Sequence, residues 1–288
     1  MSKGRVFLKN LGKTFLVLGL VGISSLSFSA NKDSGDAQKV RLIAAIDTLV
    51  HSYQAERGTA VQFLSSKVKN NPSILTEQRD NVDDNTDVVK ERLDLCKMEL
   101  SAKALEQNSQ LSALRDSVSN SSILPKVSAA KYTEIIYEYF RIIKEDITPT
   151  IQDPRIKAGL VSHMYLMLGK DFCGRERATI SGILNVNKPI DADSLKVLNK
   201  LIDEQASNLD DKFVNSTEAD LKDMYFEIKQ DKNYSAALEV RKTVLAKANT
   251  GDFGITTPEW WAAKTVVMNL LKKLDEKSLQ KLLAIVKN

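Results

Sequence analysis

Two stretches 120 residues apart carry the same pair of opposite charges: Glu56-Arg57-Gly58-Thr59 and Glu176-Arg177-Ala178-Thr179. Each arginine falls where a packed helix would place an apolar side chain. Ile46, Tyr53 and Ala60 recur every seven residues beside Val50, Arg57 and Leu64. Leu166, Cys173 and Ile180 recur in the same way beside Lys170, Arg177 and Leu184. A guanidinium on such a seam is costly unless something negative meets it. It presents five donors in a planar fork, which suits planar oxyanions such as carboxylate or nitrate. The chemistry in reach is therefore the holding of a small anion between two related halves. The competing reading is an internal ion pair with Glu56, Glu176 or another acid.

Arg241 is a third candidate, three residues after Leu238 and four before Leu245 on the apolar line of its helix. Its alternative is a guanidinium reaching solvent from a half-buried stem. Arg175 falls about 160° round the helix from Arg177, so it is expected to face solvent or to be paired. His51 and His163 have no partners at metal-ligand spacing and read as ordinary helix residues. Glu134, Glu138 and Glu145 lack the Glu-x-x-His partners that a carboxylate di-metal site needs. Nucleophile elbows, phosphate loops and Cys-x-x-Cys pairs are missing from the sequence, so no enzyme and no cofactor is expected. Cys173 lies on the apolar seam and reads as a buried free thiol, with a Cys96–Cys173 disulfide as the alternative. Adjacent Trp260 and Trp261 cannot face the same way; one is expected in the core, the other against a neighbour or partner.

Helices must position these residues. Aromatics make up only 6% of the 288 residues, with 12 Gly and 6 Pro, too few turn-formers for a sheet protein. The pattern predicts helices over about 36–69, from near 76 through Cys96, over 101–118, and from Tyr132 through Ile143 to before Pro149. After Thr148-Pro149-Thr150-Ile151-Gln152-Asp153-Pro154, the best internal boundary, it predicts helices over about 155–185, 193–214, 217–230, 235–248 and 258–274. Thr257 is the expected N-cap of the last, with Pro258 at N1. A run over 276–286 either continues it or folds back. The expected fold is all-α: two four-helix bundles as pseudo-repeated halves, 31–148 and 149–288, or long helices that cross both.

Residues 1–30 read as a secretory signal, with Lys3, Arg5, Lys9 and Lys13 before the apolar core Phe15–Ile23 and small residues near Ser27, Ser29 and Ala30. That core is short for a membrane span, and an uncleaved anchor is the lesser alternative. Without residues 1–30 the chain has 37 basic and 37 acidic residues, so its charge gives no reason to expect nucleic acid.

With these residues in view, the sequence resembles the nitrate- and nitrite-sensing domain family, the helical NIT domain of bacterial receptors. The resemblance rests on Gln54-Ala55-Glu56-Arg57-Gly58-Thr59-Ala60 and Gly174-Arg175-Glu176-Arg177-Ala178. Gln205 and Pro258-Glu259-Trp260-Trp261 support it, and it spans about 36–274. It implies an all-helical, usually extracytoplasmic sensor of two bundles that packs arginines around a small anion. Arg57 and Arg177 would be the anion-binding arginines, with Arg241 a looser match. Family sensors act as dimers and are usually joined to a signalling module; others drive an RNA-binding antiterminator. This sequence reaches Asn288 without such a module, so the expected signalling partner is a separate protein. The expected function is periplasmic or secreted sensing of nitrate or nitrite. Its rival is a ligand-free structural or interaction module with internally paired arginines.

Overall fold

The computed structural model describes residues 35–65, 72–99 and 102–286, and all regular structure among them is helical. The signal segment and the expected end of the first helix at Lys69 lie outside the described residues. Helix α1 runs Gly35–Ser65, α2 Pro72–Cys96, α3 Ala102–Ser119 and α4 Pro125–Arg141. Helix α5 runs Pro154–Val186, α6 Ala192–Ala206, the single turn α7 Val214–Ser216, α8 Ala219–Gln230, α9 Lys232–Ala246 and α10 Thr257–Ile285.

Local chemistry sets the ends. Asp153 caps α5, its carboxylate accepting from the Arg155 amide at 2.8 Å, and Pro154 fits the first turn, where no donor is needed. Asn187 closes α5 in the left-handed region at φ 53°. Helix α10 starts one residue earlier than the sequence reading placed it. Thr256, not Thr257, is the cap, because only Thr256 has Glu259 at the third helical position to complete a reciprocal capping box. The same helix then runs unbroken to Ile285, so the 276–286 run continues it. Ser278, Leu279 and Leu282 hold its buried face beyond Leu274. Wider π-turns follow two helices, Ile142–Ile147 after α4 and Ser207–Phe213 after α6.

Side chains gather into two hydrophobic clusters. The first is built by α1, α2, α3 and α4 with Ile156, Leu160, Met164 and Met167 of α5 and Leu279 and Leu282 of α10. The second holds Leu166, Cys173, Ile180 and Leu184 of α5, residues of α6, α8 and α9, and Trp260, Val267, Leu271 and Leu274 of α10. Helices α5 and α10 thus serve both clusters. They approach closely at Gly159, where a Cβ would lie 2.5 Å from Leu282 Cδ2. Asp36 ties the start of α1 to the segment before α5, its carboxylate accepting from the Gln152 and Asp153 amides at 2.9 Å each.

Candidate functional site

Helices α1 and α5 carry the two Glu-Arg pairs, and the structure gives the two members of each pair different partners. The glutamates face their own bundles. Glu56 is fully buried and receives a two-pronged Arg115 guanidinium, Nε to Oε1 and Nη2 to Oε2 at 2.9 Å each, and the Tyr132 hydroxyl at 2.7 Å. Glu176, equally buried, receives Arg241 in the same manner, at 2.5 and 2.8 Å, and Lys264 Nζ at 2.6 Å. Burial pushes the Glu176 carboxyl up, but Lys264 and Arg241 more than offset it and hold it below the usual range. Gln205 completes that cluster, its Oε1 accepting from Lys264 at 3.1 Å and Arg241 at 3.3 Å.

The arginines next in sequence face each other's neighbourhood. Arg57, 6% exposed, donates from Nη1 to the Thr133 hydroxyl at 2.9 Å and from Nη2 to Asp171 Oδ1 at 2.7 Å. Asp171 is fully buried and also receives Gln54 Nε2 at 3.2 Å. Arg177 donates from Nη1 to the Thr265 hydroxyl at 2.9 Å, and its guanidinium stacks on Trp261, 4.0 Å from the ring centre. Its Nε is shielded from solvent and has no hydrogen-bond partner, and no carboxylate among the described residues pairs with it. Burial, then the charge of Arg57, pushes the Arg177 guanidinium down to about 10.

The likeness of the two halves extends to the partners of the motif, although these are not spaced by 120 residues. Glu56 with Arg115 matches Glu176 with Arg241, and Arg57 with Thr133 matches Arg177 with Thr265. The symmetry breaks at Asp171, which gives Arg57 a counter-charge that Arg177 lacks. Gly174 makes room here: a Cβ on it would lie 3.8 Å from Arg57 Nη2 and 3.3 Å from Met268 Cε.

A family model described as nitrate and nitrite sensing matches residues 48–283, most of the chain. The chain belongs to this nitrate- and nitrite-sensing family. Among solved structures it is similar to the NasR transcription antiterminator, at 23% sequence identity and a TM-score of 0.76, over 88% of this chain and 69% of that one. At that identity the likeness concerns the fold. No curated protein matches the chain.

In this NIT domain the sequence-predicted site residues separate into two groups. Arg57 and Arg177 come close enough for one charge to weigh on the other. Arg241 sits on Glu176 and Gln205 instead, so its guanidinium is engaged by that cluster rather than reaching freely into solvent. Arg175 is paired, its Nη1 donating to the Tyr137 hydroxyl at 3.3 Å. Trp260 is fully buried and donates Nε1–H to the Arg177 carbonyl at 2.9 Å, while its neighbour Trp261 carries the Arg177 stack. Cys96 and Cys173 are both free thiols, Cys173 buried and pushed up by that burial.

The histidines differ from their reading as isolated helix residues. Burial, and then Lys170, Lys272 and Arg177, pushes His51 down to about 3, so it is neutral beside the arginines. His163 lies fully buried with Asp47 and Asp275, their ligand-type atoms within 4.8 Å of one another. That spacing could suit a metal, but the buried ammonium of Lys170 pairs with Asp275 and, at 3.6 Å, with Asp47. A side-chain cation already balances the carboxylates. These groups come from α1, α5 and α10, and sequence spacing within one helix could not reveal them. Glu138 and Glu145 both pair with Arg141, and Glu134 is exposed. An open trough of about 620 Å³ along α6, lined by Lys196, Asn199, Lys200 and Asp203, contains none of the candidate arginines.

Proposed function

We propose that this protein binds a small oxyanion, nitrate or nitrite first, between Arg57 and Arg177, and does so as a sensor rather than as an enzyme. One observation carries the reading: Arg177 is half-buried, its Nε is shut off from solvent without a hydrogen-bond partner, a second guanidinium weighs on it, and no carboxylate among the described residues pairs with it. Such a charge is disfavoured in the empty protein and is stabilised by an anion placed beside it. Arg57 and Arg177 supply the donors, while Thr133, Thr265 and Trp261 fix the planes of their guanidinium groups. Arg241 acts at one remove, anchoring Glu176 and with it the helix that bears Arg177.

The two arginines sit on different helices, so an anion between them favours whichever packing of α1 against α5 brings them together. This is a population shift, with coupling on the order of 1–3 kcal/mol for sensors of this kind. A partner protein reads the change, and a homodimer is the assembly that the family resemblance favours. The basic run followed by the apolar core Phe15–Ile23 supports export, with sensing in the periplasm or outside the cell. No membrane crossing is assigned to the sensor itself; among the described residues no helix is long and apolar enough to make one.

The second reading, a ligand-free module, draws on Asp171, which already pairs with Arg57 as an internal salt bridge would. It leaves Arg177 unexplained. Thermal unfolding of the protein with nitrate, nitrite or chloride separates the two. A ligand at 100 times its dissociation constant adds about 2.7 kcal/mol of stability. The sensor reading expects that gain with nitrate or nitrite, none with chloride, and none in Arg177→Ala. No gain with either oxyanion, or the same gain in Arg177→Ala, overturns it.

A further inference from the structure

The break in the repeat at Asp171 carries a consequence for which anions the site accepts. Asp171 is fully buried, and its Oδ1 is fixed by Arg57 Nη2 at 2.7 Å and Gln54 Nε2 at 3.2 Å. Oδ2 is buried without a hydrogen-bond partner, so nothing else neutralises this carboxylate. Arg57 is thereby balanced within the protein. Arg177 is not, and its other contacts, the Thr265 hydroxyl and the Trp261 ring, carry no formal charge.

The cations nearby are otherwise engaged. Lys170 pairs with Asp275 and Asp47, and Lys264 and Arg241 pair with Glu176. Arg175 is directed to the Tyr137 hydroxyl and to the Phe172 ring. His51 is neutral, being pushed by burial down to about 3. Counted on Arg57, Arg177 and Asp171 alone, two arginines and one carboxylate leave a single unbalanced positive charge.

We propose that Asp171 is a specificity-determining residue that, by neutralising Arg57, sets the site to accept singly charged oxyanions and to reject doubly charged ones. This rests on the reading of Arg57 and Arg177 as the anion-binding pair. A monoanion beside Arg177 closes the charge balance. A dianion in the same place leaves one negative charge uncompensated by this trio, on the same site as the buried Asp171 carboxylate. Geometry alone would not discriminate in this way, because the guanidinium fork accepts carboxylate, nitrate and phosphate oxygens alike. Discrimination of this kind works through a penalty on the wrong ligand as much as through contacts to the right one.

The test uses perchlorate and sulfate, both tetrahedral and of similar size but differing in charge, as competitors of nitrate in calorimetric titrations of the protein and of Asp171→Asn. Asparagine keeps the shape of Asp171 and removes its charge. In the unsubstituted protein perchlorate should displace nitrate at concentrations at least tenfold below those that sulfate needs. In folded Asp171→Asn the perchlorate-to-sulfate preference should move at least tenfold towards sulfate. An unchanged preference in a variant with native helical content overturns the proposal while leaving the anion site intact. Should Asp171→Asn fail to fold, the unsubstituted protein still decides, since equal competition by sulfate and perchlorate contradicts a site balanced for one charge. No nitrate binding by the unsubstituted protein overturns the anion reading itself, and the role of Asp171 with it.

Discussion

A half-buried guanidinium whose shielded Nε has no partner, and which pairs with no carboxylate among the described residues, is the unusual residue-level fact in this protein, and Arg177 supplies it. Its charge state sets a pH dependence whose sign can be worked out. Burial and Arg57 hold its pKa down at about 10, so the folded protein carries that charge at a disadvantage below pH 10 and is relieved of it above. An anion needs the charged form. Nitrate affinity should therefore be level from about pH 7 to 9 and fall as pH rises through 10, when read by calorimetry in a protein still folded by circular dichroism. An affinity that holds unchanged to pH 11 would mean that the Arg177 guanidinium keeps its charge to that pH. Both arginines were legible in the sequence, because each interrupts an apolar seam at the same point of a 120-residue repeat. Asp171 was not. It faces Arg57 across two helices, 114 residues away, and spacing within one helix carries no trace of such a pair.

At the scale of elements, the Glu-Arg motifs join helices more than they join each other. Glu176 links α5 to α9 through Arg241 and to α10 through Lys264, and Glu56 links α1 to α3 through Arg115 and to α4 through Tyr132. The competing reading of the sequence pairs the arginines with Glu56, Glu176 or another acid, and for Arg57 that acid is Asp171. Rotation of about 100° per residue instead sends adjacent side chains to different helices. Glu176→Gln strands two buried cations and should cost about 3–5 kcal/mol in denaturant unfolding at pH 7. The Glu176 pKa is depressed on folding, so its contribution is present at neutral pH and disappears as pH falls through the acid range. The variant should therefore differ least from the parent near pH 3; a constant difference at both pH values would argue against the ionised pair. Helix positions were readable from 3.6-residue periodicity and from Pro154 and Pro258, whereas the π-turns after α4 and α6 were not. A π-turn adds one residue and so shifts the phase of the 3.6-residue pattern, but over only six or seven residues the shift leaves no mark in composition.

Across the whole molecule, two hydrophobic clusters share α5 and α10, and the polar groups of those helices concentrate where the clusters change over. Met167 belongs to the first cluster and Cys173 to the second, with Lys170 and Asp171 between them; Leu274 and Leu279 bracket Asp275 in the same way. Arg57 pairs with Asp171 at this changeover, and its charge is felt by Arg177. An anion held there would act on the relation of α1 to α5, and through α5 and α10 on both clusters, which is the reach a sensor needs. The all-helical fold and its membership of the nitrate- and nitrite-sensing family were readable from composition and from the paired motifs together. Whether one oxyanion binds between Arg57 and Arg177 is decided by calorimetric titration of the protein with nitrate, beside Arg57→Gln and Arg177→Gln. One nitrate per chain is expected, with loss of binding in both variants, each with native helical content. Nitrate bound with unchanged affinity by folded Arg177→Gln would contradict it.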